Sequence, residues 1–329
     1  MAGRLSRHVP RDSSRRRIWV YLAVVAFVLV DILLIALALG STRAGANATA
    51  SRPVATFAAT PAPTTPVSTP KPAASVAETT TILAVPPTRI LAAFDAKTAW
   101  RAKTGACPAT AAVPELTIDA GKTWKTTNAT NTTKITALQR IKVSGPRVAS
   151  MVGLNQTDCA PQFVKTYVGG DTFKSYPEEI DGSWYVDPSD RATVHSPSGD
   201  VKAPCADVIA LAPRDNNAAA VLCADHALFI TTDAAEKWSE PVSVAGAVNL
   251  TVARTGYIVV AAGLPECAGV QVLALTVQPL KASSTGCLPV DAPPKTLPGT
   301  VAVSEAAGTL WLWAGNVFKR SSDGGTTWQ

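Results

Sequence analysis

At 329 residues and 47% hydrophobic content, the chain is long enough for one large core or two small ones. Its formal net charge of +6 is concentrated at the N-terminus: residues 1–17 hold six arginines against Asp12, which leaves +1 for the rest. That near-neutral remainder lacks the basic footprint of a nucleic-acid-binding domain, so no nucleic acid is expected as a partner.

The basic tail of residues 1–17 runs directly into Ile18–Leu39, which is apolar apart from Asp31 and the interfacial Trp19 and Tyr21. A helix of about 20 such residues crosses a hydrocarbon core, whereas the apolar core of a cleaved signal is only about 7–15 residues long. Arginines ahead of the span hold the N-terminus in the cytoplasm. The reading is a single-pass signal anchor in the cell membrane, with the C-terminal part extracellular. The competing reading is a cleaved signal, with Ala46-Asn47-Ala48 as the cleavage site. Asp31 is costly near mid-span and reads as a tolerated singleton rather than a contact to a partner helix.

Residues 40–79 are rich in Ala, Thr, Pro and Ser, with Pro53, Pro61, Pro63, Pro66, Pro70 and Pro72 spread along them. Such a composition buries too little surface to fold, and its prolines keep it extended. It reads as a disordered stalk. Asn47, Asn128, Asn131, Asn155 and Asn249 each open an Asn-x-Thr triplet, which matters only in a host that glycosylates such sites.

From residue 80 to residue 329 the texture changes to short apolar or alternating runs separated by Gly, Pro, Asn and Asp. Runs of this kind predict an all-β sandwich, barrel or propeller. A short turn recurs among them. Thr117-Ile118-Asp119-Ala120-Gly121-Lys122-Thr123-Trp124 has the spacing of Ser321-Ser322-Asp323-Gly324-Gly325-Thr326-Thr327-Trp328. Thr231, Asp233 and Trp238 keep part of it, and Thr166 to Phe173 keep less. The Asp accepts backbone N–H bonds, the Gly supplies a positive φ, and the Trp is an apolar anchor with a polar tip.

This pattern resembles the Asp-box, or BNR repeat, of sialidase-like β-propellers. The resemblance implies that the box is structural, lies between the third and fourth strands of a blade, and sits away from the substrate face. The structural residues it marks are Thr117, Asp119, Gly121, Trp124, Thr231, Asp233, Trp238, Ser321, Asp323, Gly325 and Trp328. The aromatic anchors Trp124, Phe173, Trp238 and Trp328 are 49, 65 and 90 residues apart. A period of roughly 45–50 residues fits a four-stranded propeller blade. Five blades can be laid out, opening near Ile90, Leu138, Asp207, Val248 and Thr300. Ser183–Ala203 falls outside the period and reads as an excursion or as a sixth blade.

On this layout Cys205 and Cys223 belong to one blade and Cys267 and Cys287 to another, which predicts two disulfides. Cys107 and Cys159 fall on the same rim of neighbouring blades, which predicts a staple between them. No Cys-x-x-Cys metal or redox spacing is present, and no cofactor or metal is expected.

A sialidase-like activity would, by resemblance, need an arginine cluster, a carboxylic acid and a Tyr–Glu pair. None of the ectodomain arginines lies in the Phe/Tyr-Arg-Ile-Pro motif of such enzymes, and no tyrosine has an evident carboxylate partner. Glu178, Glu179 and Asp181 read as a solvated loop. His195 and His226 read as structural histidines, and Trp311 and Trp313 as inter-blade packing, although with Trp184 they could also bind a sugar or peptide. The expected function is therefore a non-catalytic binding or scaffold module at the cell surface, with an extracellular glycan or protein ligand. The alternative is a diverged sialidase-like glycoside hydrolase, which an arginine triad converging on the central channel would favour. Finally, Thr80–Val85 is the one strand-like run ahead of the first blade. It is expected to pair with Val317–Arg320 and so close the ring.

Overall fold

The computed structural model describes residues 82–329. The basic tail, the expected span Ile18–Leu39, the stalk, and Thr80 and Thr81 lie outside the described residues. Among the described residues no helix is long and apolar enough to cross a membrane.

Among the described residues, twenty-two strands form six antiparallel sheets arranged as the blades of a propeller. Blade 1 is β1 (Arg89–Ala93), β2 (Ala99–Lys103), β3 (Glu115–Thr117) and β4 (Lys125–Thr126). Blade 2 is β5 (Ile135–Gly145), β6 (Val148–Asn155), β7 (Pro161–Thr166) and β8 (Lys174–Ser175). Blade 3 is β9 (Tyr185–Asp187), β10 (Asp190–Ser196) and β11 (Gly199–Lys202). Blade 4 is β12 (Val208–Pro213), β13 (Ala219–Cys223), β14 (Ala227–Thr231) and β15 (Val242–Ser243). Blade 5 is β16 (Ala247–Val252), β17 (Tyr257–Ala262), β18 (Gly269–Val277) and β19 (Leu280–Pro289). Blade 6 is β20 (Val301–Ala306), β21 (Thr309–Ala314) and β22 (Val317–Ser321).

The segment Ser183–Ala203 is thus a true blade, and the five others lie where the apolar runs place them. Second strands are the most deeply buried. Every residue of β13, β17 and β21 is buried, because a neighbouring blade covers each face. This is why they read as continuous apolar runs rather than alternating ones. The core is accordingly a ring of six inter-blade clusters. Those between blades 1 and 2, 3 and 4, 4 and 5, and 5 and 6 are large. The smallest lies between blades 2 and 3, where only Val152, Phe163 and Tyr185 are buried together.

Two rims follow from the topology. The loops that join second to third strands, and blade to blade, lie on one, here the connection rim. The loops that join first to second and third to fourth strands lie on the other, the turn rim.

Blade 3 departs from this plan. Arg191, at the start of β10, donates to the Val208 carbonyl at the start of β12 at 2.8 Å. The Trp184 indole, ahead of β9, donates to the Asp215 carbonyl just past the end of β12 at 2.9 Å. The innermost strand β9 therefore runs opposite to β12, the innermost strand of the next blade. In sense, β9, β10 and β11 correspond to the second, third and fourth strands of a full blade. β9 nevertheless takes the innermost position, and the chain reaches it by crossing from rim to rim through an irregular stretch with a 3-10 turn at Pro177–Glu179.

Ring closure also differs from the sequence expectation. Ile82–Val85 forms no strand and does not pair with β22. The outer position beside β22 is taken at Arg320 by Gln329, through a reciprocal pair of backbone hydrogen bonds of 2.9 and 3.2 Å. Residues 82–88 instead run along the connection rim. Ile82 packs into the cluster of blades 5 and 6, and Ala84 into that of blades 4 and 5. Thr88 then donates to the Gly299 carbonyl at 2.7 Å through both its N–H and its hydroxyl. Leu83 and Val85 point outward. Period-two burial was legible here, but any extended segment meets it, with or without a sheet partner.

Candidate functional site

The recurrent turns lie between third and fourth strands on the turn rim. In blade 1 the buried Thr117 hydroxyl donates to Asp119 Oδ1 at 2.8 Å and accepts from Gly121 N at 2.9 Å. Asp119 accepts in turn from the N–H and hydroxyl of Thr123 at 2.9 and 2.6 Å. Ser321, Asp323, Gly325 and Thr327 repeat every bond in blade 6. These hydrogen bonds, the Thr123 and Thr327 hydroxyls first, hold the carboxyls of Asp119 and Asp323 at about 2. In blade 4, Thr231, Asp233, Ala235 and Lys237 N keep the turn, with alanines at the positive φ of 58° and 74°. Blade 2 has Val168 in the Asp position, yet Gly170 N still donates to the buried Thr166 hydroxyl at 2.9 Å. The common element is a buried hydroxyl accepting from the N–H four residues on; the Asp is an addition to it.

Each turn packs on the preceding blade. A Cβ on Gly325 would meet Val272 of blade 5, and one on Gly121 would lie 2.6 Å from the Phe318 ring of blade 6. Trp328 donates to the Cys287 carbonyl of blade 5 at 2.8 Å, and Trp238 packs on blade 3. Trp124 meets Phe318 edge-on at 5.2 Å. That contact belongs to the seam between blades 6 and 1, where Trp311 and Trp313 are buried with Leu91, Ala99 and Ala302. Arg101 lies 4.0 Å over Trp124 and 5.0 Å over Trp313, paired with Glu115 at 2.6 Å. The Trp311 indole donates to the Asp95 carbonyl at 3.1 Å, and Ala93 N to Ser304 Oγ at 2.9 Å. No strand is shared across this seam; side chains close it, helped by the backbone bond from Thr88 N–H to the Gly299 carbonyl. Trp311 and Trp313 are thus unavailable as a ligand platform.

All three disulfides form as the blade layout implies: Cys107–Cys159 between blades 1 and 2, Cys205–Cys223 into blade 4 and Cys267–Cys287 within blade 5. All lie on the connection rim. Both histidines are engaged there or nearby. His226 has Nδ1 2.9 Å from the Ala247 carbonyl and Nε2 2.9 Å from the Ile82 carbonyl, while His195 stacks on Tyr185 and contacts Asp200 at 2.6 Å. Asn249 is buried, its amide bonded to the Val301 carbonyl at 2.8 Å.

The first strands surround a central channel, a space of about 420 Å³. Its wall carries five cationic side chains, Arg89, Arg140, Lys142, Arg191 and Arg214, and one carboxylate, Glu305. None of the five forms an ion pair among the described residues. Four serve instead as clips to backbone carbonyls: Arg140 to Trp184, Arg191 to Val208, Arg214 to Ala253 and Gly256, and Arg89 to Gly315. Burial lowers Arg140 to about 10 and lowers Arg191 as well; burial and then Arg101 lower Arg89. At about 10, Arg140 remains a cation at neutral pH. Beside blade 3 the channel continues into a groove that opens on the turn rim, lined by Arg140, Lys142, Trp184 and Arg214 together with Lys165 and Glu179.

The convergence of arginines is the feature expected of a hydrolase, but its companions do not accompany it. Glu305 Oε1 accepts from Gly308 N at 2.8 Å. Tyr185, the channel tyrosine, is pushed up to about 12 by burial and then by Asp200, Asp187 and Asp181. Glu179 of the acidic run is paired with Lys165. Among the described residues no cluster of three or more metal-ligating side chains occurs. Sequence reasoning missed the channel arginines as a set. The available signal was that Arg89 and Arg140 sit on the first strands of successive blades.

No known protein family matches the sequence, and no curated protein matches it. Solved structures similar in fold include YCF48 from Cyanidioschyzon merolae, at 14% identity over 74% of this chain and 85% of that one, with a TM-score of 0.38. A second YCF48 structure, bound to a D1 peptide, is 17% identical over 75% of this chain and 83% of that one, with a TM-score of 0.30. The GH74 xyloglucanase from Xanthomonas campestris is 16% identical over 73% of this chain but only 37% of its own, with a TM-score of 0.32. These likenesses concern the fold, and at such scores they carry no argument about activity.

Proposed function

We propose that the chain is a non-catalytic binding or scaffold propeller, held at the outer face of a cell membrane by Ile18–Leu39, with a protein or glycan ligand. The observation that carries the binding reading is the channel wall, with five cations and a single, locally bonded carboxylate. Such a wall attracts anionic groups but lacks the pair of carboxylates that glycoside hydrolysis ordinarily uses. The recurrent turns, with their Asp carboxyls bonded inside the turn, fit Asp-box repeats in a structural role. The membrane reading rests on the apolar run behind six arginines. Protease treatment of intact cells should release the propeller while leaving a fragment that begins upstream of residue 40; a mature N-terminus near Ala48 would overturn the anchor.

A diverged glycoside hydrolase is the second reading, favoured by the four arginines around the channel. Full-length protein in detergent, applied to glycan and peptide arrays and incubated with sialosides, separates the two. Retention of acidic ligands without release of sugar supports the binding module, and steady turnover of a sialoside would replace it with the hydrolase.

A further inference from the structure

Strand register sorts the side chains of blade 2 on the face turned towards blade 3. Arg140 of β5 lies opposite Val152 of β6, and Val152 opposite Phe163 of β7. Two residues nearer the turn rim, Lys142, Ser150 and Lys165 form the next row. Successive side chains alternate between faces, so Ser144 and Tyr167 follow on the same side. Val152 and Phe163 are buried with Tyr185, and from there to the rim the face is polar. This polar part lines the groove between blades 2 and 3, a space of about 450 Å³. Glu178, from the stretch that leads to β9, and Asp215 and Asn216, from the loop after β12, line it as well.

The free groups of the groove are of mixed character. Lys165 is paired with Glu179, and Arg140 and Arg214 are clipped to carbonyls. That leaves Lys142, which is exposed, against the carboxylates of Glu178 and Asp215, with Ser144, Ser150 and Asn216 as neutral groups. Asp215 accepts through Oδ1 from the N–H groups of its own turn. Its Oδ2, like the side chains of Lys142, Ser144, Ser150, Glu178 and Asn216, has no hydrogen-bond partner among the described residues. At the outer end stands Tyr167, the only exposed aromatic side chain among the described residues. It neighbours Tyr176, whose ring lies 5.3 Å from the Lys165 ammonium.

We propose that this groove binds a neutral glycan, with sugar hydroxyls bonded to Lys142, Glu178, Asp215 and Asn216 and one sugar ring stacked on Tyr167. The inference rests on the reading of the chain as a binding module and adds to the cationic channel a site for uncharged sugars. A hydroxyl donates and accepts at once, so a row of them satisfies an ammonium, carboxylates and an amide together. A uniformly acidic ligand would meet Glu178 and Asp215, and a uniformly basic one would meet Lys142. The C–H face of a sugar ring is apolar and slightly positive, and it is attracted to the negative face of an aromatic ring. Small-molecule sites measure about 300–1,000 Å³, so the groove has room for a short oligosaccharide segment.

The test applies full-length protein in detergent to an array of neutral and acidic oligosaccharides and of peptides. The neutral oligosaccharide retained most strongly is then titrated by calorimetry. The expected result is saturable binding that stays nearly constant from low to high salt, because screening acts on charged ligands. Tyr167→Ala and Glu178→Ala should each weaken it at least tenfold, while Tyr167→Phe, which keeps the ring, should keep the affinity. Both positions are exposed, so unchanged thermal unfolding should confirm that the ring of blades is intact. Binding that survives either alanine substitution would overturn the inference. Retention of acidic oligosaccharides or peptides alone would also overturn it, and would leave the binding module and its channel standing. Sialoside turnover, or an array that retains nothing, would instead remove the reading beneath it.

Discussion

The seam between blades 6 and 1 and the interface between blades 2 and 3 solve one geometrical problem in opposite ways. Neither has the support of a large aliphatic cluster. At the seam, Trp311, Trp313, Trp124 and Phe318 fill the space, with Arg101 laid across the rings. Polar atoms there are paired across the joint, as in Trp311 to Asp95 and Ala93 to Ser304. Between blades 2 and 3 the space is left open, and cations line it. The comparison teaches that this ring closes by side-chain volume rather than by a shared strand. Where that volume is small, between blades 2 and 3, a cleft results.

The largest effect should come from the seam. Trp311→Ala removes a fully buried indole and should cost about 3–5 kcal/mol by chemical denaturation of the full chain. A loss below about 1 kcal/mol would mean that the aromatics do not hold the ring. The N-terminal segment comes next, as a second means of bridging blades without a strand. Ile82→Ala should cost about 2–5 kcal/mol, whereas Leu83→Ala, at a side chain 75% exposed, should be nearly silent. Similar costs at the two positions would show that the segment is not seated on the rim.

Smaller effects should come from the turns that dock each blade on the one before. Thr117→Val leaves the Gly121 N–H without its acceptor and should cost about 1–3 kcal/mol. Thr166→Val in blade 2 should cost as much, although that turn has no Asp; a harmless Thr166→Val would return the leading role to the carboxylate. The smallest effect concerns pH. Asp119 and Asp323 have folded-state values of about 2 against an ordinary 3.8. Their contribution is complete above about pH 4 and is lost as pH falls towards 2. The melting temperature should therefore drop across that window, and less so in Asp119→Asn combined with Asp323→Asn.

Much of the fold was legible because strand runs and turn residues are local signals. β1, β5, β12, β16 and β20 open within three residues of the positions read from the sequence, and the cysteine pairing followed from the blade layout. Blade 3 was legible only as an interruption, since it has three strands and lacks the recurrent turn, and the aromatic period registers the turns alone. The ring closure was misassigned because alternation at Ile82–Val85 records burial and not the identity of the burying partner. The channel was the least legible part. Arg89, Arg140, Arg191 and Arg214 come together only once the blades are arranged in a circle, a fact that no local window contains.

The seam has a consequence for the order in which the molecule can form. Its contacts join residues 211 to 226 positions apart, whereas other inter-blade contacts join blades adjacent in the chain. Closing a long loop costs entropy before any contact repays it, and such pairings slow folding. A hypothesis follows: blades 1 to 5 can stack as they are synthesised, but the circle waits for blade 6. Pulse-labelled hydrogen exchange during refolding should then show β1 and β20–β22 protected last, and early protection at β20 would contradict it. Until that moment Trp311, Trp313 and Phe318 face solvent, so the newly made chain passes through a stage with its stickiest surface uncovered.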